Sequence, residues 1–588
     1  MFFRQTIAFN KIVQTEYFLH RNVSDTDRRR RFRTAGKRYF LCALLTFGAA
    51  LASFAAGQLT FLHTQGQDIV NESGEKVLLR GVGLGNWMLP EGYMWKFGDG
   101  GDRPRKIEKI VSDLIGPANA ARFWKEFRQN YITEADIRRI AELGYNSVRP
   151  ALNARLFLTE TDPPQPVAEG FELLDNLVKW SKAHGVYVVI DMHGAPGGQT
   201  GQNIDDSAND QPELFMQTKY QDQLGALWTD IARRYKDEPT VAGYDLLNEP
   251  LPERTGAAGK YKHLAEPLYQ RLTKAIREVD GKHMIILEGV DWANDWSIFT
   301  KPFDKNLVYQ FHYYCWDNPT KLKGVQRYLE HRKRLNAPAW VGETGERDNT
   351  IYWGTTDYFE ANNIGWSFWP WKKMDTMNTP YSIKRPHDWD GVAAYSRGEA
   401  KPAKEVAQRA FDELLKNIRL ENCVYHPEVV NAMMRRVPVR IEAENFGHKG
   451  RDASFAVRNP AQRSKFYRTD EPVMIQTTAE QRRRSEQHIV LGPTEWTAYE
   501  INCDQPRRCE VTLRVRSEQA PAEAQLQVND QAAIAVTSEK NWAEVKVGVV
   551  QFKQGVNHLK WMVKRGTVDL DWLDIQLAND AKTGSNAN

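Results

Sequence analysis

Gly243-Tyr-Asp-Leu-Leu-Asn-Glu-Pro250 is a short apolar strand that runs straight into Asn248, Glu249 and Pro250. In a parallel β/α protein, side chains at the carboxyl ends of the strands face the reaction pocket. A second stretch, Pro338-Ala-Trp-Val-Gly-Glu-Thr-Gly345, has the same design and delivers Glu343. Two carboxyl groups flanking one sugar are what retaining glycoside hydrolysis requires. Glu249 and Glu343 lie 343 − 249 = 94 positions apart, so only the tertiary fold can bring them together. Glu346, in the same Gly-Glu-Thr-Gly-Glu run, competes with Glu343 for the second role.

Outward from these two strands, apolar runs alternate with helical patterns, which predicts a parallel sheet with crossover helices. The predicted strands are Leu78–Gly83, Asn146–Pro150, Val186–Met192, Val241–Leu247, His283–Leu287, Leu307–Phe311, Ala339–Gly342 and Gly365–Trp369. Helical patterns cover Glu134–Leu143, Leu173–His184, Gln221–Tyr235 and Leu264–Val279, and Lys401–Leu420 closes the domain. Eight such strands predict an α/β fold, a (β/α)8 TIM barrel. No strand is followed by a Gly-rich phosphate fingerprint, which argues against an open nucleotide-binding sheet. Ile69–Val77 reads as a hairpin ahead of the barrel. From Val439 onward, short β-rich runs separated by turn residues predict an all-β sandwich. The expected organisation is therefore residues 1–57 as signal peptide or signal anchor, 58–420 as barrel, 421–437 as linker, 438–580 as β-sandwich and 581–588 as tail.

The formal charge of +4 comes from the first segment. Residues 1–57 hold ten Lys/Arg and three Asp/Glu, leaving 69 basic (79 less 10) against 72 acidic residues (75 less 3) in the rest. A near-neutral body gives no electrostatic basis for nucleic-acid binding. Arg28–Arg31, Arg33, Lys37 and Arg38 precede the uncharged run Tyr39–Ala56, the pattern of an export signal. Cleavage near Ala56 gives a secreted or periplasmic protein; an uncleaved anchor is the one route to a membrane. Outside the cytosol, Cys503 and Cys509, six positions apart, are expected to form a short disulfide.

Residues 75–400 resemble glycoside hydrolase family 5, most closely its exo-β-1,3-glucanase-type branch. Arg80-Gly-Val-Gly-Leu-Gly-Asn-Trp87, Asp191-Met-His-Gly-Ala-Pro-Gly-Gly-Gln199 and Gly365-Trp-Ser-Phe-Trp-Pro-Trp-Lys372 join Asn-Glu-Pro250 and Gly342-Glu343 in the family's order. The resemblance implies that Glu249 is the acid/base and Glu343, directly after the strand glycine, the nucleophile. Arg149 would hold the nucleophile ionised, and Asn248 would bind the sugar 2-hydroxyl. His193 and His312 would surround the cleaved bond, Tyr314 would donate to Glu343, and Trp369 would stack beneath the reacting sugar. Trp87, Trp292 and Trp316 are further subsite candidates, whereas Trp366 and Trp371 are candidates for packing against helices. No metal or cofactor is implied for catalysis.

Arg440-Ile-Glu-Ala-Glu-Asn-Phe446, Glu495-Trp-Thr-Ala-Tyr-Glu-Ile501 and Val568-Asp-Leu-Asp-Trp-Leu-Asp-Ile575 resemble carbohydrate-binding modules of the family 6/35 type. By that resemblance Trp542 is a sugar platform, and Glu442, Glu444 and Asp571 could bind a structural calcium through hard oxygens. Asp569 replaces the module's usual asparagine, and the Arg482–Arg484 insertion is foreign to the pattern. The expected function is a retaining β-glycosidase acting on β-1,3- or mixed-linkage β-glucan, polymeric or oligomeric. An endo-β-1,4-glucanase, a β-glucosidase or a transglycosylase are alternatives within the family. A catalytically silent glycan-binding protein is the alternative outside it.

Overall fold

The computed structural model describes residues 59–315, 324–465, 467–477, 487–519 and 521–578. The signal segment, Trp316, Arg482–Arg484 and the 581–588 tail lie outside the described residues. Eight parallel strands close a barrel: β1 (Arg80–Leu84), β2 (Ser147–Asn153), β3 (Tyr187–Gly194), β4 (Val241–Asp245), β5 (Met284–Glu288), β6 (Leu307–Tyr313), β7 (Ala339–Gly345) and β8 (Gly365–Trp369). β8 pairs with β1 to complete the ring. The strands are buried along nearly their whole length, because helices cover the outside and packed side chains fill the inside.

Local chemistry sets the helix ends. Thr133 and Asp136 form a reciprocal capping box that starts Glu134–Glu142. Gly185, at φ 68°, terminates Ala168–His184 in the left-handed conformation that a side chain disfavours. Before the barrel, His63–Gln65 pairs with Asp68–Val70 around Gly66, and the expected Ile69–Val77 hairpin follows it, with Val70 bridged antiparallel to Lys76 and the Val77 amide donating to the Ile69 carbonyl (2.9 Å). The Asn71 side chain braces its turn, Oδ1 accepting from the Ser73 and Glu75 amides. Leu62 and Ile69 pack with Tyr187, Ala242, Met284, Val308 and Trp340, sealing the amino-terminal end of the barrel. The reaction site is thereby left to the carboxyl-terminal end.

The expected linker is structured. Residues 421–437 contain the helix Pro427–Met434, which packs on Asn349–Ala361, the helix following the Glu343 strand. Arg435 reaches back to Glu360 (2.7 Å) and Asp357 (3.5 Å), and Glu360 also accepts from Arg80 at the start of β1. Beyond it, two antiparallel sheets face each other. One has the order Met474–Thr477, Gln487–Leu491, Val568–Leu577, Arg507–Arg516, Ala543–Phe552, with Val439–Glu442 also on Val568–Leu577. The other runs Phe455–Ala456, Trp496–Cys503, Gly555–Arg565, Ala522–Val528, Ile534–Ser538. Cys503 and Cys509 belong to different sheets and are buried free thiols rather than a disulfide; the Cys503 thiol donates to the Gln505 carbonyl. Burial pushes the Cys509 thiol up to about 11. Among the described residues, no helix is long and apolar enough to cross a membrane.

Candidate active site

Arg149, on β2, is fully buried at the centre of the carboxyl-terminal end of the barrel. Its Nη1 donates to Glu343 Oε1 (2.7 Å), its Nε to Asp245 Oδ2 (2.8 Å), and its Nη2 to Glu288 Oε1 and Asn248 Oδ1 (both 2.9 Å). Asp191 Oδ1 lies 3.2 Å from Nη2. One guanidinium thus meets four carboxyl groups, from β3, β4, β5 and β7. Burial pushes Asp191 and Asp245 well above the usual carboxylate range despite Arg149. Burial also acts on Glu288, but His312, Arg149 and the Glu249 amide outweigh it and hold Glu288 below that range.

Glu288 is the second hub. Its Oε2 accepts from the Glu249 backbone N–H (2.7 Å), and its Oε1 faces His312 Nε2 at 3.3 Å and accepts from the Gln310 amide. Glu249 sits at φ 43°, a left-handed conformation that costs of order 1–3 kcal/mol for a side-chain-bearing residue. The amide bond to Glu288 helps to hold it there.

His312 Nδ1 lies 2.6 Å from Glu249 Oε1 and 3.5 Å from Glu343 Oε2. A carboxylate oxygen of Glu249, one of Glu343 and a His312 ring nitrogen all lie within 4.8 Å of one another. That separation matches the roughly 5 Å gap of retaining enzymes and is shorter than the roughly 6.5–9.5 Å gap that admits water in inverting ones. Tyr314 donates to Glu343 Oε2 at 2.8 Å. Burial pushes Glu249 up to about 7, against the opposing pull of His312. Burial alone would lower His312, but Glu288, Glu343 and Glu249 carry it well above the ordinary imidazole range. The two glutamates therefore differ in surroundings: Glu343 touches the guanidinium and a phenol, Glu249 only the imidazole ring and its own backbone contact. These three groups are of metal-ligand type and close enough to share an ion, but Arg149, Tyr314 and His312 already engage the carboxyl oxygens.

Residues 116–375 match the family Cellulase (glycosyl hydrolase family 5). The chain is 31% identical over 364 residues to a β-xylosidase of Phanerodontia chrysosporium, covering 55% of this chain and 74% of that protein. This chain belongs to glycosyl hydrolase family 5. It is also similar to the probable glucan 1,3-β-glucosidase A of Emericella nidulans, 28% identical over 305 residues, or 50% of this chain and 71% of that one. Among solved structures, an endogalactoceramidase aligns over 87% of this chain and 100% of its own at 16% identity, with a TM-score of 0.42.

The family 5 site opens into a cavity of about 660 Å³. Trp369 lines it, and the His193 ring stacks on Trp369 with centroids 5.2 Å apart and planes 5° from parallel. Gly83 and Gly85 make room for that indole. A Cβ on Gly83 or Gly85 would stand 2.3 or 2.6 Å from it, and one on Gly81 would meet Ser147 Oγ at 2.5 Å, which accounts for the alternating glycines of Arg80–Trp87. His193 accepts from Asn248 Nδ2 at Nε2 (3.2 Å), leaving Nδ1–H for Asp191 Oδ2 (2.8 Å). Burial drives His193 down to about 3, so it stays neutral. Gln199 Nε2 fixes the Asn248 carbonyl at 3.0 Å.

The structure thus brings together Arg149, His193, Asn248, Glu249, His312, Tyr314, Glu343 and Trp369. Glu346 lines the same cavity but pairs with Lys373 at 2.6 Å, away from Arg149. Trp292 lines the cavity as well. Trp87 does not: it is buried and donates to the Arg128 carbonyl. Trp366 and Trp371 are buried, bonded to Glu360 and Asp136. Sequence reasoning missed Asp245 and Glu288, which close β4 and β5, and Gln310 inside β6. It also missed Glu91, whose Oε1 is buried without a hydrogen-bond partner; burial first, then Glu343 and Glu346, push it well above the usual carboxylate range. In the β-sandwich, Trp542 is half-buried, with Arg516 and Arg514 at 4.8 and 5.4 Å over its ring and His488 against its edge.

Proposed function

We propose that this family 5 chain is a retaining β-glycosidase acting on β-glucan, with β-1,3- or mixed-linkage glucan as the preferred substrate. The observation that carries the reading is the close approach of Glu249 and Glu343 in contrasting surroundings. Protonated Glu249 gives its proton to the glycosidic oxygen as the C1–O bond breaks, and Glu343 bonds to the anomeric carbon from the other side. The Glu249 carboxylate then removes a proton from water as that water displaces Glu343, so the product keeps the β configuration. Arg149 and Tyr314 position Glu343, Asn248 meets the 2-hydroxyl, and Trp369 supports the ring. The glucan 1,3-β-glucosidase named among the relatives favours β-1,3-glucan; the β-xylosidase favours a second reading, a β-xyloside. Laminari-oligosaccharides and xylobiose should be assayed side by side, with the first-formed anomer read by NMR. A 2-deoxy-2-fluoro glycoside should label Glu343; α-anomer product, or label on Glu346, would sink the assignment.

Export of the chain is part of the proposal, resting on the basic run Arg28–Arg38 and Tyr39–Ala56. The exported protein should begin just after Ala56; a product that keeps Tyr39–Ala56 in a membrane fraction would mean an anchor instead.

We also propose that residues 438–580 form a carbohydrate-binding module with Trp542 as platform and a structural calcium at Glu442, Glu444 and Asp571. Both Glu444 carboxyl oxygens are buried without a hydrogen-bond partner. Burial and neighbouring Glu442 push Glu444 well above the usual range, and Glu442 itself is pushed up to about 7, chiefly by burial. Arg440 lies 3.2 Å from Glu442 and Arg514 3.1 Å from Asp571, and Arg468 pulls on Glu444 less than burial and Glu442 push it up. A bound calcium would supply positive charge and coordination for these oxygens. Calcium should raise the melting temperature and EGTA lower it; a Glu444→Gln variant should lose that response. A wild-type melt indifferent to both reagents would remove the calcium.

A further inference from the structure

The cavity is electrically lopsided. Glu91, Glu249, Glu343 and Glu346 line its floor, whereas Arg254, Arg327 and Trp292 also line it, on loops after β4, β5 and β6. We infer that Arg254, over the Trp292 ring, and Arg327, lining the same cavity, form an aglycone subsite for a sugar carrying an anionic group, a carboxylate or phosphate. This rests on the glycosidase reading above and deepens it.

Arg254 lies in the short turn Glu253–Thr255, immediately after the Asn-Glu-Pro that carries the acid/base. Its guanidinium stands 5.0 Å over the Trp292 ring. Its hydrogen bonds go to one neutral acceptor, Gln202 Oε1, reached at 2.7 Å from Nε and also from Nη2. Arg327, in the first turn of Gln326–Leu335, donates to the Tyr328 hydroxyl (2.6 Å) and Asn294 Oδ1 (3.4 Å), again neutral oxygens. Among the described residues, neither arginine pairs with a carboxylate. The nearby acids are engaged elsewhere: Asp291 Oδ1 accepts from the Glu253 amide (2.9 Å), and Asp295 pairs with Lys262 (3.1 Å). Arg277 and Arg233, by contrast, are paired with Asp304 and Asp230.

The Trp292 platform under Arg254 is fixed in place. Asp291, Trp292 and Ala293 are three consecutive non-glycine residues with φ of 54°, 59° and 64°. The strained loop is pinned by Asp291 N–H to the Pro250 carbonyl (3.0 Å) and by Asn294 Nδ2 to the Trp292 carbonyl (2.9 Å). An aromatic face with guanidinium beside it offers a sugar a stacking surface and its substituent a forked donor. The cavity's carboxyl groups have their own partners or are pushed up by burial, whereas the two arginines lack a carboxylate, so an anionic substituent at the arginines would orient the substrate with its neutral glycone towards Glu249 and Glu343. Exposed ion pairs are individually weak and screened by salt, so two of them should give a preference of about tenfold at low ionic strength.

The test compares kcat/KM for β-D-glucosyl-(1→3)-D-glucuronic acid with that for laminaribiose, and repeats the pair with a xylosyl glycone. A disaccharide ending in glucose 6-phosphate separates carboxylate from phosphate recognition. The acidic-to-neutral ratio should be about ten in dilute buffer and approach one in about 0.5 M salt, where charges more than a few ångströms apart are screened. The Arg254→Gln/Arg327→Gln double variant should bring the ratio to about one in dilute buffer, whereas the double Lys variant should retain most of it. A wild-type ratio of one, or a preference that survives the Gln variant, overturns the subsite while leaving the glycosidase reading intact. No turnover of either glycone pair would sink the substrate reading and the subsite with it.

Discussion

Glu249 is the group whose titration should govern the alkaline side of the pH profile. Burial raises it to about 7 against the pull of His312. A general acid must carry its proton in the free enzyme, so kcat/KM follows the protonated fraction. A group with a pKa of about 7 is roughly one-tenth protonated at pH 8 and one-hundredth at pH 9, and kcat/KM should fall by those factors. Glu249→Gln keeps the shape and removes the proton. On a sugar leaving group the loss should be several orders of magnitude. With a 2,4-dinitrophenyl glycoside, whose departure needs no proton, the first step should persist and lose its alkaline limb. Initial rates well below KM, from pH 5 to 9, read both. An alkaline limb near 7 that survives in the Gln variant would refute the assignment. Stability supplies an independent check. Because the folded-state pKa lies above the ordinary glutamate value of about 4.5, the unfolded chain releases its proton first. Wild-type stability therefore falls as pH rises from 4.5 to about 7, by roughly 3 kcal/mol in all. The Gln variant should escape that loss, melting higher than wild type at pH 8 and alike at pH 4.

Three further outcomes follow from the same geometry. Arg149→Met leaves Asp245, Glu288 and Glu343 without their cation and should cost about 3–5 kcal/mol of stability, read by denaturant unfolding; a loss below 1 kcal/mol would contradict the central role of this guanidinium. Tyr314→Phe removes the hydroxyl on Glu343 Oε2 and should lower kcat by roughly 10- to 100-fold, the worth of a hydrogen bond to a charged group, with an unchanged melting temperature. Trimming residues 438–588 should weaken retention on insoluble glucan and also lower the barrel's melting temperature, because Asn349–Ala361 loses a packing surface; Gly354 there lies so close to Asn445 that a Cβ would stand 2.8 Å from its Oδ1.

The barrel was legible because each strand is a compact apolar run, and its carboxyl end carries residues that would be out of place in a core. Glu249, Glu343, Arg149 and the His312-x-Tyr314 pair all stood at such ends. Asp191, Asp245 and Glu288 are acids of the same kind, the last two closing β4 and β5, and they drew no reading because nothing local says what neutralises them. Their meaning is collective. Five carboxyl groups, including Glu249 and Glu343, surround one guanidinium and one imidazole, and burial does not allow all five to be charged. Burial pushes Asp191 and Asp245 well above the usual carboxylate range, whereas His312 and Arg149 hold Glu288 below it. His312 in turn carries a charge raised by Glu288, Glu343 and Glu249 together. Glu249, left with a single polar side-chain partner, retains its proton to about neutral pH, as an acid catalyst needs. The division of labour between the two glutamates thus arises from residues on β3, β4, β5 and β6 that touch one another only in the closed barrel. A spacing pattern can locate the two glutamates, but it cannot say which one keeps the proton.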